Sequence, residues 1–492
     1  MFAKIIAWLQ GILRRITGED PANTVAGIPL AVSNEMAEAI ERWKNEYRGK
    51  AHWLIHNTQS LGLPALIASE MATAVTLEAK IEIQGSSRAD WLNEMFEPVR
   101  AHLHTNVEYA CAMGGLVMKP FLDSDGESIS IDYIQADDFY PVSFDSRGGI
   151  TSAIFIERKR IAQMVYSRVE YHHIGKDEYT ITNKCFRGYS EDDAGTEVPL
   201  ADVPEWAEIQ PVVTMADVDR PLFAYFKIPI GNSIDPKSPL GVSVFAKAEN
   251  NIKEADLQYQ RLLWEYKAGE MAIDVSDDAF ELDRNGRAII PAGQERLWRV
   301  NQFDSEKASG GASNGVFSVF SPTLRDSSYI AGLNKILQKI EDQCGVARGT
   351  ISERPDVQTQ TATEIKMLRQ RTYATVTAIQ TALERALKDL LWAMDATASL
   401  YNLAPAGEVN INCVWDDSIV TDADTERVRD MQEIRDGIMQ KWEYRVKWYG
   451  EDEKKARAMV AGEEPSDDEI MGFVTTAQRN NGETGGNENG EG

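Results

Sequence analysis

A chain of 492 residues with 43% hydrophobic content is long enough for two or more domains and a sizeable core, which excludes fibrous and largely disordered classes. Its 51 basic against 77 acidic residues give a net charge of -26, which argues against ordinary nucleic-acid binding through a broad basic face. The four cysteines, Cys111, Cys185, Cys344 and Cys413, are far apart with no metal-ligand or redox spacing, so reduced thiols are the expectation.

Met1 to Gly18 carries Phe2, Ile5, Ile6, Trp8, Leu9, Ile12 and Leu13 interrupted by Lys4, Gln10, Arg14 and Arg15. It lacks the continuous apolar core and cleavage site of a secretory signal and is too short and polar to span a bilayer, so it reads as an amphipathic helix or peripheral packing arm. Glu38 to His56 has helical character, and Pro64 to Val75 reads as a second helix leading into a strand at Leu77 to Ile83. Trp91, Met95, Val99 and Leu103 continue a helical face toward Cys111, and Gly114-Gly115 breaks it. Leu116 to Phe121, Ser128 to Ile134, Ala153 to Glu157 and Arg168 to His173 read as strands, with turns at Ser124-Asp125-Gly126 and Arg147-Gly148-Gly149. His102 with His104 and His172 with His173 invite a metal hypothesis, but each pair points to different faces and lacks a nearby third ligand.

From Ser238-Pro239, a capping side chain followed by proline at the first helical position, the pattern predicts a helix running to Ala268, about 45 Å long. Its less polar positions, Phe245, Ala248, Ile252, Ala255, Tyr259, Leu262 and Tyr266, line one seam. Met271 to Pro322 holds short β-rich runs at Met271 to Val275, Ala288 to Ile290, Leu297 to Val300 and Val316 to Phe320. Ile330, Leu333, Leu337, Ile340 and Cys344 then repeat the seam before Gly345 stops the run. The two seams pack antiparallel, or each against neighbouring copies.

Val346 to Gln360 reads as a loop. Thr361-Ala362-Thr363-Glu364 forms a capping box that opens a long helix with apolar positions at Ile365, Leu368, Val376, Ile379, Leu383, Leu387, Leu390, Leu391 and Met394. Val409 to Trp415 resembles a strand, Asp416 to Asp422 a turn, Thr425 to Tyr449 a helix and Glu451 to Ala461 a last helix. From Gly482 the chain is almost wholly Gly, Asn and Glu, too polar to order itself.

No nucleotide-binding glycine loop, nucleophile elbow or His-Glu-x-x-His motif is present, and no cofactor is expected. Asp137-Asp138, Asp277-Asp278 and Asp416-Asp417 could supply general acids or metal ligands, yet in so acidic a chain such pairs fall often on solvated turns. A carboxylate-metal hydrolase or nuclease is therefore the lesser reading, and a structural adaptor without a channel is a second alternative.

The ordered set of the Ser238-Pro239-Leu240-Gly241 helix, β insert, returning helix, polar loop and Thr-Ala-Thr-Glu helix, with Gln380 to Leu387 inside it, resembles the portal proteins of tailed bacteriophages. The similarity is to portals of long-tailed phages of Gram-positive hosts. The resemblance implies an α+β subunit with an N-terminal arm and α/β wing (1–237), stem helix 1 (238–270), clip (271–322), stem helix 2 (323–345) and tunnel loop (346–360). A long wing helix and strand (361–420), a helical crown (421–470) and a disordered acidic Gly/Asn tail (471–492) complete it. Ile134 to Pro141 with Gly149-Ile150 is where such portals turn between wing strands.

It further implies a non-enzymatic ring, usually of twelve copies, at one capsid vertex of the virion, assembled in the host cytoplasm without a membrane. The ring would thread double-stranded DNA without sequence preference, driven by the terminase large subunit, and dock head-completion or adaptor, major capsid and scaffolding proteins. Strong acidity suits a channel, because a wall that DNA slides past should repel phosphates or grip them weakly. On this reading the tunnel loop offers Arg348, Arg354, Gln358, Thr359 and Gln360 to DNA. Phe245, Ile252, Tyr259, Leu262, Ile330, Leu333, Leu337 and Ile340 form the stem and oligomer seam.

Overall fold

The computed structural model describes residues 9, 32–55, 58–123, 125–145, 148–175, 178–190, 193, 195–216, 218–276, 281, 289, 297–301, 317–353, 362–415 and 423–461. They fall into two compact units, one ending at Trp415 and one beginning at Asp416, and the mixed helix and strand content is the α+β class expected.

In the first unit, α1 (Asn34–Tyr47) opens where the extended Ser33 accepts the Met36 amide at 3.3 Å, and it buries Met36, Ala37, Ile40 and Trp43. The expected helix to His56 ends here instead, because Gly49 at φ +67° lets the chain turn back on the last carbonyls; His56 lies outside the described residues. Of Met1 to Gly18 only Leu9 is described, and it is buried in the core. Next come α2 (Leu63–Thr76), with Pro64 in its first turn, and β1 (Ala79–Gly85). The helical face expected around Trp91 to Leu103 is three pieces, α3 (Ser87–Met95), α4 (Glu97–Ala101) and α5 (Leu103–Met113). Pro98 has no N–H to continue a helix from α3, and Gly114 at φ +90° ends α5 as expected.

The strands that follow are β2 (Gly115–Leu122), β3 (Ile129–Gln135), β4 (Phe139–Phe144), β5 (Ile150–Ile161), β6 (Met164–Ile174), β7 (Glu178–Gly188), β8 (Thr196–Val198), β9 (Val212–Ala216) and β10 (Ala224–Lys227). An antiparallel sheet runs β4-β5-β6-β7-β8 with β9 also on β7, and a second runs β10-β2-β3. Lys119 on β2 reaches into the first sheet, 2.8 Å from Glu170, whose other oxygen accepts the His172 Nε2 proton at 2.5 Å. Tyr179 donates to His172 Nδ1 at 2.6 Å. Burial would raise the Glu170 pKa, but Lys119, His172 and Arg168 outweigh it and hold the carboxyl well below the usual range. Both ring nitrogens of His172 are thus committed to a buried network.

The helix expected from Ser238 begins only at Glu249. Residues 238–245 are irregular, a 3-10 turn covers Ala246–Ala248, and α6 (Glu249–Ala268) is 20 residues, about 30 Å. Amides a helix would use are taken elsewhere: Val244 N–H donates to the Cys111 carbonyl at 2.9 Å and Gly241 N–H to the Tyr225 hydroxyl at 3.0 Å, while Phe245 N–H closes a local turn on Ser243 Oγ at 3.3 Å. Gly241 lies so close to Gly114 that an added Cβ would sit 2.0 Å from its carbonyl oxygen. Beyond α6, β11 (Ala272–Ser276) pairs parallel with β12 (Trp298–Asn301) and antiparallel with β13 (Phe317–Phe320). Three of the four expected β runs are therefore strands; Ala288 to Ile290 lies outside the described residues except Ile289. α7 (Asp326–Cys344) stops at Gly345, φ +74°. α8 (Ala362–Leu400) is 39 residues, about 58 Å, and buries Val376, Ile379, Leu383, Leu387, Leu390, Leu391 and Met394 as expected. Thr361, and with it the predicted capping box, falls outside the described residues. β14 (Val409–Trp415) pairs antiparallel with β1, Ala79 opposite Trp415 through Gly85 opposite Val409.

In the second unit, the single helix expected from Thr425 to Tyr449 is two. α9 (Ala423–Arg435) ends before Gly437, φ +74°, and a Gln440/Glu443 capping box starts α10 (Lys441–Tyr449). α11 (Glu453–Ala461) follows, and Asp430 accepts from Trp448 and pairs with Lys447, both at 2.8 Å. The turn at Asp416 to Asp422 and everything after Ala461, including the Gly/Asn tail, lie outside the described residues.

One buried carboxyl on α1 gives a stability signature. Glu46 is 4% exposed, and its Oε2 has no hydrogen-bond partner. Burial, then the charge of Glu249 at the first position of α6, raises its pKa to about 8, with Arg42 opposing. A carboxyl protonated in the fold and ionised in the unfolded chain stabilises most at low pH. Stability should fall as pH rises from about 4.5 through about 8, by on the order of 4 kcal/mol in all, and level off above. Glu46→Gln should flatten that slope in urea titrations across this range. An unchanged slope would place the titration elsewhere.

Candidate functional site

The site is built from α6, α7 and the loop after them. Asn251 near the start of α6 donates to Gln343 near the end of α7 at 2.6 Å, and Glu265 near the end of α6 holds Arg325 at 2.8 and 3.0 Å. The two helices are therefore antiparallel. The predicted seam meets between them, but its burial is graded. Phe245, Ile252, Leu262 and Ile340 are buried, with Phe245 just before the helical turn rather than on α6. Tyr259, Leu333 and Leu337 are half-buried, and Ile330 is 37% exposed. Toward the end that carries β11 to β13, Tyr266 is 41% and Trp264 68% exposed, with Met271, Phe320 and Leu324 also open. Trp264 was missed by the seam pattern; an apolar residue off the stripe was its signal.

The near end of α6 is clamped by a residue the sequence did not single out. Asp256, almost fully buried, accepts from Trp53 Nε1 at 2.9 Å and the Leu61 amide at 2.8 Å, and Thr58 donates to Gln260 at 2.9 Å. Trp43 Nε1 donates to Glu249 beside them. These bonds tie α1 and the segment after it to α6.

Of the loop Val346 to Gln360, residues through Glu353 are described. Arg354, Gln358, Thr359 and Gln360 lie outside the described residues. The described half is anchored by Glu341, fully buried in the last turns of α7. Its Oε1 accepts the amides of Gly349, Ile351 and Ser352 at 3.1, 2.7 and 2.8 Å, and its Oε2 accepts the Ser352 hydroxyl at 2.7 Å. Glu353 N–H donates to Asn334 Oδ1 at 2.9 Å. Arg348 is exposed but engaged: its Nη2 and Nε bond both oxygens of Asp342 at 2.8 and 3.2 Å, which holds the Asp342 carboxyl below its usual range. Arg371 on α8 pairs with the same Asp342 at 3.5 Å and donates to its carbonyl.

The profile of the family described as phage portal protein, SPP1 Gp6-like, matches residues 37–448. The chain belongs to that family. It is a phage portal, or head–tail connector, protein, and the structural family it joins fits a non-enzyme. The match spans the portal chain from α1 to α10. No curated protein sequence matches it. Solved structures similar to it include a chain of the virion of a native gene transfer agent particle, at TM-score 0.43 and 12% identity, covering 89% of this chain and 98% of that one. Another is in the neck of an empty gene transfer agent particle computed with C6 symmetry, at TM-score 0.39 and 12% identity, covering 88% and 98%.

In this portal chain the alternative chemical sites are otherwise engaged or undescribed. Asp137 pairs with Lys44, and Asp138 with Arg158 at 2.5 Å; Asp277-Asp278 and Asp416-Asp417 lie outside the described residues. His104 contacts the Thr73 hydroxyl at 3.1 Å and His173 the Ser152 hydroxyl at 2.7 Å. Among the described residues no group of three His, Cys, Asp or Glu is placed to hold a metal, and no helix is long and apolar enough to cross a membrane.

Proposed function

We propose that this portal protein assembles as a closed ring, dodecameric, at one capsid vertex, and that double-stranded DNA passes through its centre during packaging, is retained there and leaves on infection. The observation that carries the reading is the family match over residues 37–448. In this reading 1–237 is the arm and wing, 238–270 and 323–345 the stem, 271–322 the clip, 346–360 the tunnel loop, 361–420 the wing helix and strand, and 421–470 the crown. The helical part of the first stem segment is the shorter α6. The tunnel loop offers Arg348, Arg354, Gln358, Thr359 and Gln360 to DNA. Arg348 makes a shallow contact, because a guanidinium already bonded to Asp342 has little free charge to spend on phosphate.

Support for a ring comes from the graded seam. Apolar side chains left open on α6 and α7, Trp264, Tyr266 and Ile330, are what a second copy would cover, and aromatic anchors of this kind carry interface energy. The chain's net charge of -26 keeps any grip on DNA weak, as sliding requires. Energy for translocation comes from the terminase large subunit, which docks on the clip before head-completion or adaptor proteins replace it; major capsid and scaffolding proteins surround the ring. Assembly takes place in the host cytoplasm, and the product is part of the virion.

The clip assignment is tested by exchange. Gly269 at the end of α6 lies against Leu324 just before α7, so the helix ends are close enough for a short Gly-Ser linker to replace Met271 to Pro322. The variant should form rings but bind terminase and adaptor at least tenfold more weakly, a loss of about 1.4 kcal/mol or more. Undiminished terminase binding would refute the docking role.

A further inference from the structure

We propose that Glu341 is the positioning residue of the tunnel loop, a buried carboxylate whose bonds hold residues 346–353 as a bracket at the end of α7, and that DNA retention depends on this hold. This rests on the reading of 346–360 as channel-facing and adds what holds the loop there.

Four observations converge on it. Glu341 is fully buried on α7, in the last helical turns, where the free carbonyls disfavour a carboxylate. Something must compensate, and the compensation is entirely the loop: three amide donors and one hydroxyl close on its two oxygens. Gly349, at φ +90°, supplies the left-handed turn that lets three amides within four residues converge on one carboxylate oxygen. The bracket is also tied to α8, since Thr375 Oγ1 donates to the Gly345 carbonyl at 3.3 Å and Arg371 shares Asp342 with Arg348. Neighbouring acids thus divide the work: Glu341 binds loop backbone, and Asp342 joins loop to α8.

The test uses the full chain in rings and in packaged phage heads. Glu341→Ala should leave rings assembled and raise amide exchange at Gly349, Ile351 and Ser352 at least tenfold. It should also reduce nuclease-protected DNA in heads to the level seen when residues 354–358 are removed. Glu341→Gln keeps an acceptor oxygen for the amides and should restore protection and most of the DNA, a rescue that loss of bulk stability would not show. Ser352→Ala, which removes the hydroxyl bond to Glu341 and the Gly349 amide's bond to that hydroxyl but leaves the three amides on the carboxylate, should fall between, and serves if Glu341→Ala does not assemble. Protection unchanged in Glu341→Ala or Ser352→Ala would overturn the anchor. Lost protection with wild-type DNA retention would overturn the positioning role. If removing 354–358 itself leaves retention intact, the channel reading fails while the exchange result still decides the anchor.

Discussion

Trp264→Asp combined with Ile330→Asp is expected to give a folded protomer that does not assemble. Trp264 is 68% exposed and Ile330 37%, so the first change buries no charge within the protomer and the second only part of one, and thermal unfolding should move far less than for a core site. In a ring both would be covered, each charge would be desolvated without a partner, and every subunit contact would carry the penalty. An interface anchor is worth about 2 kcal/mol or more on truncation, and adding a charge raises the cost. Light scattering at micromolar concentration should find monomer where wild-type protein is expected to form rings. Ile252→Asp is the contrasting control: that side chain is wholly buried in the core, so the charge should cost about 4 kcal/mol and remove the fold along with assembly. Rings of normal size from the double variant would remove this end of α6 and α7 from the interface.

The second large effect concerns the loop. Removing residues 354–358 should leave ring formation and thermal stability unchanged while heads package or retain much less DNA. A wider cut, Gly349 to Gln358, is the poorer variant, because it strips Glu341 of all four donors and leaves a bare buried carboxylate costing on the order of 3 kcal/mol. Arg348→Ala with Arg354→Ala should act in the same direction but less, since Arg348 is already bonded to Asp342. Retention is read as nuclease-protected DNA per head. Wild-type values in the shortened-loop variant would take the loop away from DNA.

Much of this was legible in the sequence because it depends on local chemistry. Gly345 and Gly114 end helices by their left-handed backbone, Pro64 opens one, and Val409 to Trp415 alternates as a strand should. The seam of α6 and α7 was readable at its buried end, where Ile252 and Ile340 keep helical spacing. The errors have physical causes. Residues 240–245 are buried on every side, so their apolar run carries no period that could separate helix from irregular chain. One left-handed glycine, Gly437, split a pattern that otherwise continued. The strand β7 went unseen because Asn183 interrupts the alternation of Tyr179, Ile181 and Cys185, and Phe186 breaks its phase. Asp256 and Glu341 were invisible for a different reason. Their roles lie in donors that arrive through the fold, Trp53 and Leu61 about two hundred residues away for the first, and backbone amides, which leave no mark on sequence, for the second.

Copies of this chain are proposed to close around a channel lined by residues 346–360. Electron cryomicroscopy of the purified full-length protein tests this most directly. Closed rings are expected, with α6 and α7 in the stem, a central hole wide enough for duplex DNA and the loop after α7 on its inner wall. Monomers alone across salt conditions, rings without a hole, or a loop on the outer wall would contradict it.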